Sequence, residues 1–66
     1  MRNELQEEKE AAEFERREFE QMRGAYKRLN ALQKELRGLN AFTAAERVSG
    51  AISALWVDLM KHPGKY

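Results

Sequence analysis

The sequence of 66 residues holds no cysteine, one proline, four glycines and a single histidine. Each scarcity excludes something. Without cysteine there is no disulfide staple and no Cys-based zinc site. One histidine, His62, cannot build the paired Glu-x-x-His set that a di-metal helical bundle needs. Gly24, Gly38, Gly50 and Gly64 are scattered, so no glycine-rich phosphate loop exists. His62 has no serine or carboxylate constellation beside it in sequence, and its expected place is the end of a helix, where the dipole favours positive charge. These absences point to a non-enzyme with no metal or cofactor. No apolar run approaches the roughly 20 residues of a membrane span. The opening MRNELQEEKE is too charged for a secretory leader, so the expected location is cytoplasmic.

What is present is helix former. Charged residues make up 35% of the chain, and residues 4–37 are mostly Glu, Arg, Leu, Ala, Gln and Lys with one glycine inside. That composition predicts a long helix over about 4–37, closed by Gly38 in the left-handed conformation that often ends helices. Thr43-Ala44-Ala45-Glu46 fits a capping box and predicts a second helix over about 44–61, stopped by Pro63 and Gly64. Only residues 38–42 lie between, so the two helices are expected as antiparallel neighbours. The fold class is all-α, an antiparallel hairpin forming one domain over residues 1–66. At 1.5 Å per residue the arms are roughly 50 and 27 Å long. The short arm cannot cover the long one, so residues 1–18 read as a projecting acidic arm, 19–61 as the packed hairpin and 62–66 as a tail.

At 100° per residue, Phe14, Met22, Ala25, Leu29, Leu32 and Leu36 form one apolar stripe on the first helix, widened by Phe19 and Tyr26. Val48, Ile52, Leu55 and Leu59 form the seam of the second, flanked by Ala51, Trp56 and Met60. The predicted core is Leu29, Leu32, Leu36, Val48, Ile52, Leu55 and Leu59. Two helices hide only one side of each other, so the aromatic flanks predict self-association into a homodimeric four-helix bundle. Leu5, Ala12, Phe19 and Tyr26 also recur every seven residues, a coiled-coil spacing weakened by Glu8 and Glu15. On the outer side of the second helix, Gly50, Ala54 and Val57 suggest a shallow docking face. In the solvated arm, pairs such as Glu13–Arg17 are expected to add small increments.

Residues 1–22 carry eight Glu against four basic residues, and residues 23–66 eight Lys or Arg against three acids, giving −4 and +5. Lys9, Arg16, Arg23, Lys27 and Lys34 fall on one face, which makes RNA or DNA a candidate partner through phosphate contacts. Glu13 and Glu20 beside that stripe and a net charge of only +1 weigh against it. The glutamate-rich polar face argues against anionic membranes. Size and layout are similar to those of small helical-hairpin homodimers such as plasmid copy-number regulators, a likeness of shape that carries no residues across. The favoured expectation is a phage- or bacterium-encoded regulator or inhibitor that binds another protein through Phe14, Arg16, Phe19, Arg23, Tyr26, Trp56 and Met60. A small subunit of a larger assembly is the further alternative.

Overall fold

A computed structural model describes the backbone of residues 4–65 and the side chains of residues 8–65. The chain forms α1 (Glu4–Gly38), α2 (Phe42–Lys61) and a closing 3-10 turn (Pro63–Lys65). The helices pack against each other as a hairpin, and the turn folds back onto α1. The molecule is a rod of 58 × 16 × 16 Å with a radius of gyration of 16.5 Å. A compact chain of this length would have a radius of gyration of about 11 Å.

The turn between the helices is a Schellman motif. The Asn40 amide donates to the Arg37 carbonyl at 3.0 Å and the Ala41 amide to the Leu36 carbonyl at 2.9 Å. The left-handed residue is Asn40, with φ 62°, rather than the expected Gly38, which is the last residue of α1 and has no positive φ. Asparagine is the residue after glycine that best tolerates this conformation. The chain then enters α2 at once. Its N-cap is Ala41, without a side-chain cap, and the Ala45 amide donates to the Ala41 carbonyl at 3.0 Å. The expected capping box is therefore not formed. A turn this tight starts the helix two residues early and leaves Thr43 inside the first turn.

The packed face of α1 runs through Glu15, Phe19, Met22, Tyr26, Leu29, Gln33 and Leu36, all half-buried. Their 4-3 spacing keeps one face of a helix towards a neighbour. The face of α2 runs through Ala45, Val48, Ile52, Leu55, Leu59 and His62 in the same alternation. The Phe19 and His62 rings lie 5.8 Å apart, which fixes the register and sets Met22 level with Leu59, Leu29 with Ile52 and Leu36 with Ala45. Among the described residues only Ala45 and Leu59 are buried. Leu32, expected in the core, is 41% exposed, because it lies one flank away from the seam. Ala45, outside the expected core, is its tightest position because it continues the spacing of Ile52 and Leu59 by seven residues.

Candidate functional site

Beside the seam, α1 and α2 leave a cleft of about 370 Å³ whose lining includes Phe19, Tyr26, Trp56, Leu59 and Met60. Its walls follow from the register. Trp56 and Met60 sit on the same side of the α2 seam, and the Tyr26 and Trp56 rings meet across the gap at 5.7 Å and 42°. Trp56 is 51% and Met60 47% exposed. Both line the cleft and still face solvent. Arg23 and Lys27 stand on the α1 rim, and Lys65 of the closing turn lies at the end. Beyond the Tyr26–Trp56 pair a shallower depression of about 450 Å³ continues along the same flank, lined also by Ile52, Ser53 and Val57.

The end of the cleft is held by His62. Its Nδ1 accepts from the Gly64 amide at 2.9 Å, which puts the ring proton on Nε2, and Nε2 lies 2.9 Å from Glu18 Oε1. The His62 side chain is only 9% exposed, whereas Glu18 is 49% exposed. His62 does end α2, as expected of it, but its partner comes from 44 residues away in sequence. The tail that follows packs so closely that a Cβ built on Gly64 would overlap the Glu15 carbonyl. Cover over α1 thus begins at Glu15.

Of the seven residues singled out for partner binding, the structure gathers Phe19, Arg23, Tyr26, Trp56 and Met60 around this cleft. Arg16 lies two turns from Arg23 on the same flank. Phe14, 66% exposed, leaves the group. It stands about 90° from the mean direction of the packed face at 100° per residue, at the same helical angle as Leu32 on the opposite flank. Lys9, Arg16, Lys27 and Lys34 are all exposed, and Arg23 pairs with Glu20 at 3.4 Å. The expected Glu13–Arg17 pair is not formed. Gly50 has open space where a side chain would be, so no backbone approaches it within the hairpin. Leu39 and Phe42, 70% and 61% exposed, form an apolar tip that spacing alone had not marked.

The opposite flank has its own order. Met22, Ala25, Leu29, Leu32 and Leu36 repeat in 3-4 alternation, and Leu39 extends them into the turn. They share Met22, Leu29 and Leu36 with the α2-facing seam. Across from them α2 presents Ala51 and Ala54, both exposed. The apolar arc of α1 is therefore wide enough for two helical neighbours, and α2 takes one.

Among the described residues no three His, Asp or Glu side chains come together to hold a metal ion, and no helix is long and apolar enough to cross a membrane. No protein-family model, curated protein or solved structure matches the chain. Fold and site together define a class: an open helical hairpin with an aromatic cleft on one flank and a second leucine seam on the other.

Proposed function

We propose that this chain is a non-enzymatic protein-interaction module, a small regulator or inhibitor that pairs with a second copy as a four-helix bundle and acts by gripping another protein. The observation that carries the reading is the surface left open. The accessible area is 5568 Å², against about 4,300 Å² for a compact monomer of this mass. The excess of about 1,200 Å² exceeds the roughly 800 Å² that each partner contributes to a standard interface. Part of it belongs to the uncovered arm of α1; the rest includes Leu32, Trp56 and Met60. A hairpin with two buried side chains among the described residues has too small a core to stand alone. The second leucine seam, with the small side chains of α2 beside it, suits the second copy, since small residues let helices approach. The aromatic cleft suits the other protein, because Tyr, Trp and Arg are the side chains that usually concentrate interface energy.

Sedimentation equilibrium at micromolar concentration is the test. A mass twice 7.7 kDa supports the bundle, and a cooperatively folded particle of 7.7 kDa removes it. Partner capture that survives in full when Trp56 is changed to Ala would remove the cleft from the reading.

A further inference from the structure

The two flanks differ in charge, and the difference selects the occupant of the cleft. On the leucine flank, Glu18, Glu35 and Asp58 stand against Arg28, Arg47 and Lys61, a balance that two identical surfaces can satisfy mutually. On the cleft flank, Arg16, Arg23, Lys27, Lys34 and Arg37 stand against Glu13, Glu20 and Glu46, which leaves an excess of positive charge. Glu20 is already engaged with Arg23. Two copies meeting through this flank would set like charges against each other over an apolar floor, where the low dielectric strengthens repulsion.

Nor does the acidic arm of a second copy fit. A two-fold axis brings equivalent faces together. An arm laid on the cleft flank would therefore present Lys9 and Ala12 to the cleft and turn Phe14 away.

We propose that the cleft receives an acidic amphipathic helix carried by another protein. The lodging is a trough parallel to α1 and α2 with an aromatic ridge, Tyr26–Trp56, between two depressions. A third helix fits such a trough with apolar side chains one and two turns apart, at i, i+4 and i+7, straddling the ridge. Its carboxylates lie along the outer edges of that stripe and meet Arg23 and Lys27. This assignment rests on the interaction reading above and names the partner's chemistry.

The test uses the full chain and a synthetic 16-residue helix of Glu and Ala with Leu or Phe at i, i+4 and i+7 and no tryptophan. Trp56 is the only tryptophan of the chain, so its emission reports the cleft directly. The expected result is a saturable blue shift with the Glu peptide. Binding should weaken at least tenfold in Lys27→Glu, and less in Lys27→Ala, with helical circular dichroism unchanged in both. A peptide of the same composition scrambled to scatter its apolar residues, and one with Lys in place of Glu, should give no shift. Equal binding of the scrambled peptide would reduce the effect to bulk charge. An oligouridylate that quenches Trp56 in a steeply salt-dependent way while the Glu peptide does not would assign the flank to RNA. Full affinity in Lys27→Glu would overturn the proposal. Mass measured on the same samples separates the two levels: a dimer that ignores the Glu peptide sinks this inference alone, whereas a stable monomer sinks the bundle.

Discussion

Asn40 carries the one left-handed backbone among the described non-glycine residues, with φ 62°. Everything that turns the chain passes through it, because the two hydrogen bonds that close α1 bracket this residue. A Cβ-bearing residue without the local hydrogen-bonding options of asparagine is strained there. Asn40→Ala should therefore cost about 1 kcal/mol and lower the melting temperature by about 4–8 °C, while Asn40→Gly should leave it unchanged or higher. Equal melting of all three would mean that the turn does not limit stability. At the other end Gly64 is needed for space rather than for conformation: its φ is ordinary, and the Glu15 carbonyl occupies the place of a side chain. Gly64→Ala should lift the closing turn and release both the Gly64 amide from His62 and the Lys65 amide from the His62 carbonyl, which it meets at 3.2 Å. Hydrogen exchange at residues 64 and 65 reads this directly. Protection there should be lost, with the centre of α1 unaffected; retained protection would show that the tail has room to spare.

At the scale of the elements, α2 begins without help. Ala41 makes no side-chain cap bond, and the first turn of α2 carries no acidic residue. Ala41→Asp should supply both and raise stability by about 0.5–1 kcal/mol, visible as a higher denaturant midpoint with an unchanged slope. No gain would mean that the Schellman turn holds position 41 away from a capping geometry. Both helices were legible in the sequence, because a long run of strong helix formers and a short connection leave few other arrangements. The rotation of the helices was not. Phe14 and Leu32 belonged to the apolar arc as counted, yet the arc holds two seams, and spacing within one helix does not say which of them the neighbour takes. That choice is made by Phe19 against His62 and Glu15 against Gly64, contacts between opposite ends of the chain that no local pattern displays. The candidate site was half legible for the same reason. Trp56, Met60 and Tyr26 follow from a helical arc too wide for one partner, but their separation from Phe14 follows only from the register.

For the whole molecule the decisive quantity is how much of its stability lies between copies. A rod with Ala45 and Leu59 as the only buried apolar side chains among the described residues gains little from its own seam. If the second leucine seam is where two rods meet, folding and pairing are one equilibrium, and melting must depend on protein concentration. Leu32 is the place to separate them. It is 41% exposed, lies at the middle of that seam and faces away from the cleft. Leu32→Glu keeps a good helix former and spares the half-buried positions Leu29 and Leu36 that face α2, but in a bundle it buries a carboxylate in an apolar seam. Such burial costs several kcal/mol. The expected outcome is a species of half the wild-type mass whose melting temperature is lower and no longer rises with concentration, while Trp56→Ala, on the other flank, keeps the wild-type mass. The opposite result, dissociation by Trp56→Ala and none by Leu32→Glu, would place the second copy in the aromatic cleft and leave the leucine seam as the face in search of a partner.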